Sequence, residues 1–249
     1  MTFEGAIFDL DGVITDTAQV HKKAWKALFD EYLRRRADRL GEVFRPFTEQ
    51  DYLDFVDGLP RYDGVSAFLE SRNIRLPLGS PDDTPEQETV CGLGNRKNLE
   101  FQAVLEREGA TVFPGSENLV RALKKLGVSI GVASSSKNCA MVLERAGISD
   151  LFEARVDGVV LVEQGLPGKP DPAMFVKCAE WLGVTPRRSF VVEDAISGVQ
   201  AGRDGNFGLV IGINRESDPQ ALRDNGADWV VDDLSELTVE AIDEHFRKL

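Results

Sequence analysis

In the second half of the chain, short apolar runs alternate with helical patterns, and this alternation constrains the fold more than any other feature. Ser129–Ala133, Phe190–Val192, Leu209–Ile213 and Trp229–Val231 read as strands. Helical patterns over Glu117–Leu126, Asn138–Ala146 and Ala195–Arg203 flank and separate them. Strands joined through helices run in the same direction, which predicts a parallel sheet with helices on both faces. The uninterrupted apolar character of these strands fits burial on both sides. A further strand opens the chain: Gly5–Leu10 (GAIFDL) is apolar, turns acidic and runs into Asp11-Gly12. The fold class expected is α/β, doubly wound around a mostly parallel sheet.

The residues after that first strand do not alternate. Helical patterns cover Thr17 to about Arg36, Glu49–Val56, Gly64–Ser71 and Asn95–Glu106, with Thr15 or Asp16 as a cap for the first. Asn73 to Glu88 carries Pro77, Pro81 and Pro85 and several acids, the composition of a loop. An all-helical cap therefore interrupts the core straight after strand one. The expected division is residues 1–15 and 110–249 for the core and 16–109 for the cap, with linkers near Thr15 and Gly109–Pro114. The cap is expected to close over the strand ends, exclude water and complete the substrate site.

Composition narrows the partners. Lys and Arg total 29 against 42 Asp and Glu, a formal charge of −13 in 249 residues. An acidic surface repels nucleic acid and anionic membrane, but a local cluster of donors can still bind an anionic substrate. Cys91, Cys139 and Cys178 are too few and scattered for a disulfide framework, and no Cys/His metal spacing occurs. Met1-Thr2-Phe3-Glu4 lacks the features of a signal peptide, and no apolar run is long enough to span a membrane. The expectation is a soluble cytoplasmic protein, a monomer or weak oligomer.

The chemistry concentrates at strand ends, where open parallel sheets bind ligands. Asp9 and Asp11 stand two residues apart as the first strand ends, so both can reach one site. One carboxylate of such a pair can attack or bind metal while the other shuttles a proton. Against this, Asp11 can equally be a turn acid before Gly12. Glu193-Asp194 ends another strand, where it either joins the site or caps the following helix. Several converging acids call for a cation, and Mg²⁺, a hard ion usually held by one or two carboxylates plus phosphate, suits them. Lys169 in Gly168-Lys169-Pro170 can neutralise a transferring phosphoryl group, and Ser134 can offer it a hydroxyl and an N–H. Thr17, His21 and Trp25 lie at i, i+4 and i+8, either facing a substrate or packing on the other cap helices.

Asp9-Leu10-Asp11-Gly12-Val13 resembles the first motif of the haloacid dehalogenase superfamily, and Ser134, Lys169 and Glu193-Asp194 follow in that family's order. The stretch Asp9–Trp25 resembles its β-phosphoglucomutase-like branch in particular. The resemblance implies Asp9 as a nucleophile that becomes an aspartyl-phosphate, and Asp11 as general acid and base. It implies Asp9, the Asp11 carbonyl and Asp194 as Mg²⁺ ligands, with Glu193 near the metal. It implies that His21 faces the substrate, and that Arg61 grips the non-reacting phosphate of a hexose phosphate. Ser135, Ser136, Lys137 and Asn138 extend the second motif towards that same phosphate, although Ser136 also suits a helix N-cap. One departure stands out: the branch carries a lysine at or before the Gly58-Leu59-Pro60-Arg61 loop, where this chain has Asp57 and Leu59. The 73–88 loop is also long. Three functions follow: a mutase for β-glucose 1-phosphate, a phosphatase for a small sugar phosphate, or a phospho-accepting signalling domain. The last is disfavoured by the chain's length and the large insert.

Overall fold

The computed structural model describes residues 1–215 and 218–249. It divides into two compact units, one of residues Met1–Asp16 and Ala110–Leu249, the other of Thr17–Gly109. In the first unit the strands are β1 (Gly5–Phe8), β2 (Ser129–Ser134), β3 (Ala154–Asp157), β4 (Ser189–Glu193), β5 (Leu209–Ile213) and β6 (Trp229–Val231). Among the described residues they form one sheet in the order β3-β2-β1-β4-β5-β6, and every pairing in it is parallel. The chain order reverses between β1 and β4, the topological switch point where such sheets bind ligands.

The second unit holds α1 (Ala18–Leu40), α2 (Glu49–Phe55), α3 (Arg61–Ser71) and α4 (Val90–Glu108). The first unit holds α5 (Pro114–Lys125), α6 (Cys139–Ala146), α7 (Gly158–Gln164), α8 (Ala173–Leu182), α9 (Ile196–Asp204), α10 (Pro219–Asp224) and α11 (Val239–Phe246). On one sheet face, Ile7, Val191 and Val210 pack with Phe175 and Cys178 of α8 and Val199 of α9. On the other, Phe8 meets Phe190 edge-on, and Phe3 bridges Phe190 to Phe246 of α11. Both faces are buried, as the apolar strands require.

Several elements differ from the sequence reading. β3 (ARVD) is too short and too charged to show a strand pattern. α7 falls where the sequence reading assigned no element: Asp157 accepts hydrogen bonds from the N–H groups of Val159 and Val160 and caps the helix, and Gly165 ends it in the left-handed conformation (φ 63°). Neither Thr15 nor Asp16 caps α1. The N-cap is Thr17, without a side-chain bond, and Thr15 instead bridges to Asp11 and Val112.

The helical unit has its own core of Trp25, Phe29, Phe47, Phe68 and neighbours. α2 starts with a capping box between Thr48 and Asp51. The segment between α3 and α4 is free of helix and strand but well anchored. Asn95 donates to the carbonyls of Pro81 and Asp83 (2.9 Å each), and Arg96 donates to that of Pro85 (2.8 Å).

Candidate active site

Asp9 follows the last residue of β1, and its N–H donates to the Val192 carbonyl of β4 (2.9 Å), so the neighbouring strand fixes where its side chain starts. The side chain is 9 % exposed. Lys169, from the segment between α7 and α8, donates to Asp9 Oδ1 at 2.5 Å and also to Glu193 Oε1. The lysine side chain is 1 % exposed and stands 5.0 Å from the Phe175 ring centroid. Burial alone would push Lys169 down, but the carboxylates of Asp9 and Glu193 overcome it and hold the ammonium above the ordinary lysine range. Asp9 moves up because it is buried; Lys169 opposes this, and Glu193 and Asp11 add to it. One ammonium thus serves two carboxylates, with Asp11 close by.

Glu193 ends β4. Its Oε2 accepts from the backbone N–H groups of Asp194 and Ala195 (2.9 Å each), so both carboxylate oxygens already have donors. In this arrangement Glu193 holds Lys169 and the start of the turn into α9. Gly198 makes the room, since a Cβ there would stand 1.9 Å from Glu193 Oε1.

Asp11 sits on a tight turn. The Gly12 N–H donates to Thr15 O, and the N–H groups of Ile14 and Thr15 both donate to Leu10 O. Gly12 has φ +82°, and a Cβ on it would fall 1.8 Å from Asp194 Oδ2, so this position needs glycine for both conformation and space. Asp194 is thereby pressed against the Asp11–Gly12 turn. Ser134, the last residue of β2, lies with its Oγ 3.4 Å from Asp11 Oδ2, at the far limit of a hydrogen bond. Its Oγ accepts from Ser136 N–H, and Ser136 Oγ accepts from Asn138 N–H (3.1 Å each) in the turn before α6, whose N-cap is Asn138 rather than Ser136. The loop of Ser135, Ser136, Lys137 and Asn138 is braced by Gly158, whose N–H donates to Ser136 O.

Among the described residues no three His, Cys, Asp or Glu side chains form a cage for a metal ion. Mg²⁺ does not need one, because it usually keeps waters and takes one or two carboxylates plus substrate phosphate. With Glu193 fully engaged, Asp9, Asp194 and the Asp11 carbonyl are a donor set of that kind.

In the helical unit, Thr17 is buried at the start of α1. The His21 ring stacks on Phe101 (centroids 4.0 Å apart, 19°), and Lys97 Nζ contacts His21 Nδ1. Trp25 is 5 % exposed and stacks on Phe29 within the helical core. Arg61 opens α3 and is half-buried. Its Nη2 donates to Asn98 Oδ1 (2.7 Å), and burial pulls its pKa down. Among the described residues no carboxylate pairs with it.

The sequence reading missed Lys97. It is 3 % exposed, with its ammonium 4.9 Å from the Trp25 ring centroid and 5.0 Å from that of Phe101. A signal was present: Leu93, Lys97, Phe101 and Leu105 follow at i, i+4, i+8 and i+12, so one cation stands on a stripe that is otherwise apolar and buried.

A parallel doubly wound sheet with acids at its switch point, one buried lysine and a helical insert defines a class, and comparison with known proteins agrees. Residues 3–206 match the model of the haloacid dehalogenase-like hydrolases, and the chain belongs to that family. It is an enzyme of the phosphoryl-transfer superfamily to which they belong. It is 52% identical to a β-phosphoglucomutase of Mycobacterium bovis over 235 residues, 93% of this chain and 90% of the relative. It is 32% identical to the β-phosphoglucomutase of Bacillus subtilis, covering 98% of this chain and 96% of that one. The crystal structure of β-phosphoglucomutase from Clostridium difficile superposes with a TM-score of 0.77 at 29% identity, over 99% of this chain and 98% of that one.

Proposed function

We propose that the chain interconverts β-glucose 1-phosphate and glucose 6-phosphate through an aspartyl-phosphate on Asp9, with Mg²⁺ as cofactor. The chemistry rests on one observation: a buried carboxylate clamped by a buried lysine, with a second carboxylate two residues on. The choice of substrate rests on the kinship with the mycobacterial enzyme.

Asp9 attacks phosphorus, a P–O bond to its carboxylate forms, and the P–O bond to the departing sugar oxygen breaks. Asp11 gives that oxygen a proton. When a hydroxyl of a sugar phosphate attacks the phospho-Asp9, Asp11 takes its proton, a P–O bond to that hydroxyl oxygen forms and the P–O bond to Asp9 breaks, which gives a sugar bisphosphate whose other phosphate then passes to Asp9. Lys169 keeps Asp9 ionised and neutralises phosphoryl charge, while Ser134 supplies a neutral donor. Asp9, Asp194 and the Asp11 carbonyl would hold Mg²⁺, which would supply electrostatic stabilisation of the phosphoryl oxygens. Arg61, which no carboxylate pairs among the described residues, can give a phosphate two parallel N–H donors. In the helical unit, Arg61 is assigned to the non-reacting phosphate of the substrate.

The test is to incubate the protein with β-glucose 1-phosphate and Mg²⁺ and to score glucose 6-phosphate against free phosphate. Glucose 6-phosphate is the expected product, and free phosphate alone would replace the mutase with a sugar phosphatase. Arg61→Ala should damage this conversion far more than hydrolysis of a small aryl phosphate, because only the sugar bisphosphate needs a second phosphate site. Equal loss of both activities would remove Arg61 from substrate binding.

A further inference from the structure

Arg215 lies two residues beyond the end of β5, in none of the motifs considered above. Its guanidinium is fixed from three sides. Nε donates to the Gly12 carbonyl at 2.9 Å, and Nη1 donates to the Asp232 carbonyl at 3.2 Å. The central carbon stands 3.8 Å from the Phe113 ring centroid, the geometry of a stacked cation. The nearest carboxylate contact given by an ion pair, to Asp233 Oδ2, is longer, at 3.9 Å. An ordinary surface ion pair would show the opposite ranking. Arg215 is therefore held chiefly by carbonyls and a ring, and the shortest of those bonds goes to the turn that carries Asp11.

That turn has little freedom to spare. Gly12 already lies against Asp194, closely enough that a Cβ would stand 1.8 Å from its Oδ2. The Gly12 N–H is tied to Thr15 within the turn, so its carbonyl is the handle by which the rest of the unit can hold it. Phe113, under the guanidinium, is strapped to the same turn through its N–H, which donates to Ile14 O (3.0 Å). Arg215 thus presses on both strands of this small ribbon at once.

We propose that Arg215 is a positioning residue that fixes the Asp11–Gly12 turn against Asp194, and so presets the Asp11 carbonyl and the Asp194 carboxylate for a divalent cation. This rests on the function proposed above. Arg215 touches neither cation nor substrate. It acts through the Gly12 peptide, as groups that orient metal ligands commonly do.

The test uses the full chain with Arg215→Met, which keeps the stem on Phe113 but donates no hydrogen bond, and Arg215→Lys, which can donate once but has no planar face. Mg²⁺ affinity is measured by calorimetry, and amide hydrogen exchange is followed over residues 10–15, both well below the melting temperature. Arg215→Met should weaken Mg²⁺ by roughly 10–100-fold, the usual cost of losing such a support. The amides of Ile14 and Thr15 should exchange faster, with α9 unchanged, and Arg215→Lys should fall between. If Arg215→Met does not fold, Arg215→Lys alone decides, by the same two readouts. A variant that only melts earlier, with Mg²⁺ affinity and exchange of residues 10–15 as in wild type, overturns the proposal. If wild type binds no Mg²⁺, the proposed function fails separately, and the exchange comparison decides whether Arg215 positions the turn.

Discussion

Gly198→Ala sets a local preference against a site contact. Inside a helix, replacing glycine by alanine ordinarily stabilises by about 0.5–1 kcal/mol. At Gly198 of α9 the added Cβ would stand 1.9 Å from Glu193 Oε1 and 2.0 Å from its Cδ, whereas real contacts stay above 3.0 Å. The carboxylate must retreat by about 1.1 Å or the helix must move. Glu193 is fully buried and bonded to Lys169, Asp194 N–H and Ala195 N–H, so retreat breaks those bonds. Disrupting a buried charged network costs about 3–5 kcal/mol. After the gain in helix propensity, a net loss of roughly 2–4 kcal/mol is expected. For a chain of this size that corresponds to a Tm lower by about 5–15 °C. Lys169 loses one of its two anchors, and displacement of a catalytic group by about 1 Å lowers turnover by roughly 10²-fold. Thermal melts and sugar-phosphate turnover on the purified variant measure both effects. A Gly198→Ala protein that melts at or above wild type with full turnover would refute the role given to Glu193.

Asp9→Asn should lower turnover by roughly 10³-fold or more, as removal of a nucleophile does, and keep the fold because Glu193 still pairs with Lys169. Substantial residual turnover, or loss of fold, would count against a covalent step. In the helical unit, Asp51 works against its partial burial: hydrogen bonds from Thr48 and Arg72 hold its carboxyl below the ordinary range. A depressed folded value means its stabilisation is present above the ordinary carboxyl pKa and is lost as pH falls through the folded one. Asp51→Ala should therefore cost about 1 kcal/mol at neutral pH. That cost should fade below about pH 4 in denaturant titrations, and a cost independent of pH would show that charge plays no part.

What was legible in the sequence is what local pattern encodes. A chain that alternates strand and helix leaves its polar residues at strand ends, so Asp9, Asp11, Ser134, Glu193 and Asp194 announced themselves by following apolar runs. Lys169 lies on no strand and was read from its place in the motif order. What stayed hidden depends on contacts remote in the chain. Lys97 is remarkable in sequence only if its helix face is known to be buried, and that depends on His21 and Trp25, some seventy residues away. Trp25 was ambiguous for the same reason, because a stripe at helical spacing packs a core as readily as it meets a substrate. α7 was masked by its valines, whose strand preference is overridden by the Asp157 cap and the Gly165 terminus. Glu193 was placed correctly, but its partners decide its role, and two of the three donors are backbone amides that no motif shows.

The net charge of −13 seems at odds with a phosphorylated substrate. The contradiction dissolves once depth is considered. Charges on the surface are screened within about 10 Å by ordinary salt and act in a high dielectric. A buried cation is screened far less, and each counts for more. Lys169 is almost fully enclosed, Lys97 nearly so, and Arg61 is half-buried with a neutral partner. Within each unit, buried cations of this kind rather than the surface total set the local potential. Acids inside the first unit serve the opposite end of the same problem. Asp9 and Glu193 hold Lys169 charged at a depth where burial pulls the other way. The acids at the switch point and the cations that answer them are thus one electrostatic unit: removing either sign strips the other of the partner that keeps it ionised.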